Sequence, residues 1–363
     1  MLNFSSAPKK ICILRLSALG DVCHTLPMLQ SIQTSWPDTE ITWIVGKIEH
    51  QLLNDIPNIR FIIFDKSRGF KAFADLKRAL TNDQFDILLH MQTSLRSNIA
   101  SLFIKAKIKL GYDKTRAKEL HSIVINQHIS GDERQHQVDS FLDFAKYLGL
   151  QTHVNWHLPI NADAKNIISK KLENSLPILA INPCSSPSKR VFRNWHSEGY
   201  AKVADFAIEK LGYQVVLCGG KSEEEKCAGE TIESSTSHKI DNLIGKTSVK
   251  ELIAVLDATT ILITSDSGPA HIATAVGTPV IALHGATNPY QTGPYEYLNW
   301  TINHYPEAIE NEYQQSVEQL PWGTRAHGEE VMKQIKPEEV MMQLEKLHHY
   351  LLSKKESNQK STA

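Results

Sequence analysis

Cysteine is scarce in this 363-residue chain, and the few present form no pattern. Cys12, Cys23, Cys184, Cys218 and Cys227 make no CxxC pair and no His/Cys cluster of zinc spacing. Their odd count and scattered positions exclude a disulfide framework and indicate free thiols in a reducing compartment. Charge of neither sign is in excess: the formal net charge is −1 and the pI about 7.0. A nucleic-acid binder usually carries a basic surplus, so that class is disfavoured. No apolar run approaches the length of a membrane span. Near the start two lysines precede an apolar run, in APKKICILRLSALGD, as in a secretory leader. Arg15 interrupts that run after four residues, which suits a buried first strand better. The dinucleotide fingerprint GxGxxG is missing after this strand, where Gly20 stands alone. Repeats and low-complexity tracts are absent as well. These exclusions leave a cytoplasmic, enzyme-sized protein.

What is present describes a globular chain: 41% hydrophobic and 22% charged residues, enough to bury sizeable cores. A chain of this length exceeds one ordinary core, so two domains are expected. Residues 11–16, 41–45, 61–64 and 87–89 read as buried strands, and 27–36, 70–80 and 95–105 have helical spacing. Residues 122–125 form a further strand candidate before a helix over 138–148. The pattern loosens near 165–176 and the alternation then restarts with strands at 178–182, 214–218, 261–264 and 280–283. Continuous apolar strands alternating with helices predict two α/β, doubly wound parallel-sheet domains, over 1–170 and 171–335, facing across a cleft. Ligands belong at the carboxyl ends of such strands. Residues 303–330 are polar and irregular; the helix 336–352 needs a partner surface, for which the first domain is the expected one, and 353–363 reads as a frayed tail.

Four stretches carry chemistry. The first, LSALGDVCHTLP, follows the first strand. Pro27 fits a first helical turn, so a helix from about Thr25 leaves 20–24 as a loop with Asp21 facing the cleft. A carboxylate there serves either as a general base toward a hydroxyl or simply as a helix cap; His24 reads as a packing or hydrogen-bonding residue in place of a second base. The second, NPCSSPSKRVFRNW, sets Ser185 and Ser186 before Lys189, Arg190 and Arg193 in a Pro-bounded loop. Hydroxyls orient phosphate oxygens and cations offset their charge; the plainer alternative is a solvated basic loop. Cys184 has no His and carboxylate arranged to make it a nucleophile. The third, LCGGKSEEE, ends a strand with two glycines and opens a helix at Glu223, a carboxylate placed for a ribose or merely for the helix dipole. The fourth, ILITSDSGPAHIATAVGTPVIALHGATNP, reads as strand, polar turn, helix, strand and Gly-rich loop. Its SDSGP turn aims helix N-terminal amides at an anion, unless it is only a capped α/β unit. A weaker cationic patch comprises Arg96, Lys114, Arg116 and Lys118.

Together these stretches resemble glycosyltransferase family 9, the ADP-heptose:lipopolysaccharide heptosyltransferases, in order and over nearly the whole chain. The block 266–289 is the most specific part, and the overall look is closer to the heptosyltransferase I type. The resemblance implies a GT-B fold and an inverting transfer from ADP-L-glycero-D-manno-heptose to the Kdo/inner-core region of lipopolysaccharide. It implies Asp21 as the catalytic base. For the donor it implies Ser185, Ser186, a cation among Lys189, Arg190 and Arg193, Glu223 at the ribose, Thr247 near adenine, and Asp266, Ser267, Gly268 and His271. Arg96, Lys114 and Arg116 fall where acceptor-binding cations are placed. The chain departs from the family in having Ser-Ser for the frequent Thr-Thr, and Arg193 for a lysine nearer the following Trp.

No DxD-like pair is present, so no metal and no tightly bound cofactor are expected; ADP-heptose is a substrate. A lipid-borne acceptor without a membrane span implies peripheral contact with the inner face of the inner membrane, through basic and apolar loops of the first domain. Competing readings are a heptosyltransferase II-like enzyme with another donor sugar or later acceptor, a sugar-nucleotide epimerase, and a non-catalytic sugar-nucleotide-binding protein.

Overall fold

The computed structural model describes residues 6–172, 176–185, 191–328 and 330–362. The chain divides into two compact units, Met1–Pro159 and Ile160–Ala363. The first contains β1 (Lys10–Leu14), α1 (Leu19–His24), α2 (Leu26–Ser35), β2 (Glu40–Gly46), α3 (Lys47–Leu53), β3 (Ile59–Phe64) and α4 (Lys71–Ala79). It continues with β4 (Phe85–His90), α5 (Leu95–Ser101), β5 (Ala106–Gly111), β6 (Gln127–His128) and α6 (Gln137–Tyr147). The second opens with α7 (Ala162–Lys171), β7 (Ile178–Asn182), α8 (Ser197–Leu211), β8 (Gln214–Leu217), α9 (Glu223–Ser235), β9 (Asp241–Asn242) and α10 (Val249–Ala258). It closes with β10 (Ile261–Ser265), α11 (Gly268–Ala275), β11 (Val280–His284), α12 (Pro289–Thr292), β12 (Ile302–Asn303), α13 (Tyr305–Tyr313) and α14 (Pro337–Thr362).

Each unit is a six-stranded parallel sheet with the same winding. The orders are β3-β2-β1-β4-β5-β6 and β9-β8-β7-β10-β11-β12, so both are Rossmann-like. Strand order reverses between β1 and β4 in one and between β7 and β10 in the other, which opens a crevice at those carboxyl ends. The strands are apolar throughout because both faces are covered. On one face of the second sheet Leu179, Ile181, Val215 and Leu217 meet Tyr200 and Val203 of α8; on the other, Ile178 and Val216 meet Ala164 and Ile168 of α7. In the first sheet Cys12, Leu14, Ile44 and Leu88 pack with Leu76 of α4 and Ala100 of α5.

Several expectations change. The last helix packs on α8 within the second unit, where the first domain was the expected partner: Val340, Leu344 and Leu347 join the core around Tyr200, Val203 and Ala207. Small residues on α8 let the two helices approach, and Tyr213 Oη meets His348 Nδ1 at 2.9 Å. The helix also runs on to Thr362 where a frayed tail was expected. The first unit ends near 159, because α7 belongs to the second core. Residues 121–123 form a 3-10 turn in place of a strand at 122–125, and β6 follows at Gln127–His128. His121 is buried and fixes this turn, its Nε2 accepting from the Tyr112 amide at 3.1 Å. Among the described residues no helix is long and apolar enough to cross a membrane.

Candidate active site

In the first unit the crevice after β1 and β4 is tied by side chains. The Leu16 amide donates to Gln92 Oε1 at 2.8 Å, and Arg15 Nη1 donates to the Met91 carbonyl at 2.6 Å. The Arg15 guanidinium lies 5.2 Å from the Phe141 ring centroid and its Nη2 meets Asp21 Oδ2 at 2.6 Å. Asp21 stands in the first turn of α1, not in a loop as expected. Pro27 breaks the helix only after His24: Thr25 closes α1 and opens α2, where Pro27 lies in the first turn and needs no amide hydrogen. Asp21 Oδ2 also accepts from the Ala18 amide at 2.9 Å, so the carboxylate does cap the helix. Both contacts fall on Oδ2, and among the described residues no bond to Oδ1 is formed. His24 is buried and packs edge-on to His136, in line with a packing role.

Beside this point a cavity of about 310 Å³ opens along the carboxyl edge. Its polar lining includes Lys47, Lys66 and Arg96 beside Glu49, Asp65 and Gln92, and its apolar lining Leu16, Ile48 and Phe64. Burial pushes the Glu49 carboxyl up, against the pull of its own amide and of Lys66. Of the expected acceptor cations, Arg96 lines this cavity. Lys114 is exposed, while Arg116 is largely buried and committed to Asp113 at 2.5 Å and Asp143 at 3.6 Å. Those two carboxylates leave Arg116 little charge to offer a ligand.

In the second unit Asn182, the last residue of β7, organises the crevice. Its Nδ2 donates to the Cys218 carbonyl at 3.0 Å; its Oδ1 accepts from Thr264 Oγ1 at 3.0 Å and Ser267 Oγ at 3.1 Å. Ser267 is thereby held by Asn182 and Thr264, and its side chain does not cap α11, whose first turn carries Gly268 and Pro269. Ser185 is buried, and its amide and hydroxyl reach Asn194 Oδ1 at 2.8 and 2.9 Å. Asn194 Nδ2 in turn donates to Glu224 Oε1 at 2.7 Å. Ser186, Lys189 and Arg190 lie outside the described residues.

Arg193 Nη1 meets Asp266 Oδ2 at 3.0 Å, and Arg193 Nε is buried without a hydrogen bond among the described residues. Burial alone would raise Asp266; His284, Arg193, His271 and the Thr287 hydroxyl outweigh it and hold the carboxyl below its usual range. Burial in turn lowers the His284 pKa, against the pull of Asp266, whereas the Arg193 guanidinium stays charged at every working pH. His271 is buried one turn into α11, and Thr247 lies just before the Ser248 cap of α10. Burial, then Glu224 and Glu225, push the Cys184 thiol up to about 12, which removes it as a nucleophile.

The three consecutive glutamates of α9 have separate fates. The Glu223 side chain is 89% exposed and paired with Lys226. Glu225 closes the capping box with Ser222 and accepts from the Gly220 amide at 2.6 Å. Glu224 is the carboxylate that meets Asn194. Sequence reading missed Glu224, Asn182, Asn194 and Arg15. Signals for two were present: Ser222 and Glu225 have capping-box spacing, and a charged Arg15 interrupts a buried strand.

Residues 73–320 match the family model described as glycosyltransferase family 9 (heptosyltransferase). The lipopolysaccharide core heptosyltransferase OpsX of Haemophilus influenzae is 41% identical over 95% of this chain and 98% of its own length. A family 9 glycosyltransferase from Veillonella parvula superposes with a TM-score of 0.77 at 22% identity, over 94% of this chain and 97% of that one. The Escherichia coli heptosyltransferase WaaC, solved with ADP, superposes with a TM-score of 0.68 at 20% identity, over 93% and 97%. Two Rossmann-like domains of GT-B type are common to these folds. With two thirds of its length matched by the family model and a relative above 40% identity along nearly all of it, the chain belongs to glycosyltransferase family 9, the heptosyltransferases, and is a glycosyltransferase.

Proposed function

We propose that this enzyme moves a heptose from ADP-L-glycero-D-manno-heptose to the Kdo/inner-core region of lipopolysaccharide, with inversion at the anomeric carbon. The carrying observation is positional. Asp21 with Arg15, and Asp266 with Arg193, each stand at the strand-order reversal of their own sheet, where such folds bind ligands. The relative above 40% identity bears the name of a lipopolysaccharide core heptosyltransferase, which supports the acceptor class.

In the reaction, Asp21 takes the proton of the acceptor hydroxyl, with Oδ1 as the atom not already bonded. The hydroxyl oxygen forms its bond to the anomeric carbon on the face opposite the diphosphate. The bond from that carbon to the diphosphate oxygen breaks, and ADP departs with the electron pair. The base supplies about 10²–10⁴-fold. Charge growing on the diphosphate is met by Arg193, the Ser185 hydroxyl and the N-terminal amides of α11 beside Ser267 and Gly268. Ser186 and Lys189 are assigned to the same phosphates by resemblance. Glu224, rather than Glu223, holds the ribose, because it is the carboxylate turned to the phosphate loop. Thr247 and His271 complete the donor side; Arg96 and Lys114 serve the acceptor. The enzyme works at the cytoplasmic face of the inner membrane.

The test is a panel of nucleotide sugars, each incubated with and without a Kdo–lipid A acceptor. Acceptor-dependent release of ADP from ADP-heptose alone supports the reading. Epimerisation or hydrolysis independent of acceptor would replace it with an epimerase or hydrolase.

A further inference from the structure

Arg15 follows directly on β1, between Leu14 and Leu16, both of them buried. Its backbone is pinned by β2: the Arg15 amide donates to the Ile44 carbonyl at 3.3 Å, and its own carbonyl accepts from Trp43 Nε1 at 3.3 Å. The side chain is 12% exposed, so a full positive charge is held almost out of water. Nη1 and Nη2 are both engaged, yet Nε is buried with no hydrogen bond among the described residues. An arginine kept for stability alone would satisfy that donor, or an apolar side chain would fill its place at no loss. A chain that breaks a local rule in this way does so most often at a functional site.

The two bonded nitrogens reach different segments. Nη1 donates to the Met91 carbonyl, just past β4, and Nη2 to Asp21 Oδ2 in α1, each at 2.6 Å. The Phe141 ring of α6 stands 5.2 Å from the guanidinium carbon. A planar fork fixed on a carbonyl and set against a ring has little freedom left in how it presents Nη2. A lysine would carry the same charge on one atom and lose that fork. Asp21 Oδ2 takes a second bond from the Ala18 amide at 2.9 Å, so both contacts orient the carboxylate by the same oxygen. The pair borders the cavity: Leu16, Ser17 and Gln92 line it, and its Glu49 feels the charges of both Asp21 and Arg15.

We infer that Arg15 is the positioning residue of the base: anchored on the Met91 carbonyl and the Phe141 ring, it holds Asp21 Oδ2 and thereby aims Oδ1 at the acceptor hydroxyl. This deepens the functional reading above and rests on Asp21 being the base. Arg15 touches no reacting atom and acts through Asp21. Its contribution is geometric, since proton transfer needs Oδ1 in line with the hydroxyl at the moment the oxygen attacks.

The test is steady-state transfer from ADP-heptose to a deacylated, water-soluble Kdo acceptor, using the full chain as wild type, Arg15→Ala, Arg15→Lys, Asp21→Ala and the Arg15→Ala/Asp21→Ala double variant. Arg15→Ala should lower kcat about 10–10²-fold with the acceptor KM within about threefold, and Arg15→Lys should lose less. Added ethylguanidinium should restore part of the kcat of Arg15→Ala and none in the double variant. In the Asp21→Ala background, removing Arg15 should cost less than about twofold more, because no carboxylate is left to aim. Amide exchange of β1 and β4 peptides reports whether the variants fold; if Arg15→Ala loosens them, Arg15→Lys and its cycle with Asp21→Ala carry the test. Wild-type kcat in the Arg15 variants, a loss confined to the acceptor KM, or an equal fold-loss with and without Asp21 would overturn the assignment. Failure of the base reading is distinguishable, since Asp21→Ala by itself then turns over like the wild type.

Discussion

The Arg193–Asp266 pair offers a demanding prediction, because both partners are largely buried and joined by one bond of 3.0 Å. With charge centres about 4 Å apart and an effective dielectric near 20, their attraction is about 4 kcal/mol. Arg193→Met keeps the volume but leaves Asp266 buried without its cation, a change that costs about 3–5 kcal/mol. Asp266→Asn alone strands the guanidinium and falls in the same range. The double variant leaves no unpaired charge, so it should lose far less than the sum of the two. The double variant should therefore lose at least about 2 kcal/mol less than the sum of the two single losses. Two domains make a single unfolding transition a poor reporter, so the measurement is native-state amide exchange on β7 and β10 peptides.

The pH dependence has a fixed sign. A carboxyl held below its ordinary 3.8 contributes stability that is fully present above that value and is lost as pH falls through the depressed one. In Arg193→Met burial is no longer opposed by the arginine, so the Asp266 pKa moves up and the acid-induced loss shrinks, turning into a gain on acidification once the folded value exceeds the ordinary one. Additive losses in the double variant, or an acid profile unmoved by Arg193→Met, would refute the reasoning.

Other outcomes follow from the same contacts. Asp21→Ala should retain ADP binding by calorimetry while transfer falls about 10²–10⁴-fold, and wild-type turnover in that variant would remove Asp21 as the base. Glu224→Ala should weaken ADP binding about tenfold or more, whereas Glu223→Ala, on an outward side chain, should leave the affinity within about twofold; the reverse order would return the ribose to Glu223. Gly46→Ala should destabilise the first unit by about 1–3 kcal/mol, because a Cβ there would sit 2.5 Å from the Leu16 carbonyl oxygen and against the buried Glu49 carboxylate. Amide exchange of β1 and β2 peptides reads that change; unaltered protection would mean that the crevice is looser than its bonds suggest.

The winding of both sheets was legible because parallel strands covered on two faces are written as unbroken apolar runs. β1, β2, β7, β10 and β11 fall within a residue or two of where those runs lie. Short edge strands carry no such run: β6 is two exposed residues, Gln127 and His128, and the more apolar 122–125 stretch drew attention away from it. Helix α14 shows a different limit. Its amphipathic pattern requires a partner but cannot name one, and the alanines of α8 that receive it lie far off in sequence.

The candidate site divides along similar lines. Asp266 and Ser267 stand out because polar residues directly after an apolar strand are visible as punctuation, and Asp21 and Arg193 because they fall in the connections that follow β1 and β7. Asn182 does not, since one amide at a strand end looks like a turn residue until its bonds to Cys218, Thr264 and Ser267 are seen. The choice between Glu223 and Glu224 turns on helical phase. Ser222 as N-cap puts Glu225 in the capping box and turns Glu223 outward, leaving Glu224 facing Asn194.

Mass spectrometry of a Kdo–lipid A acceptor, after incubation with the wild-type chain and ADP-L-glycero-D-manno-heptose, tests the central assignment most directly. We predict one added heptose per acceptor and an equal amount of released ADP. An unmodified acceptor in the presence of intact, bound donor would contradict it.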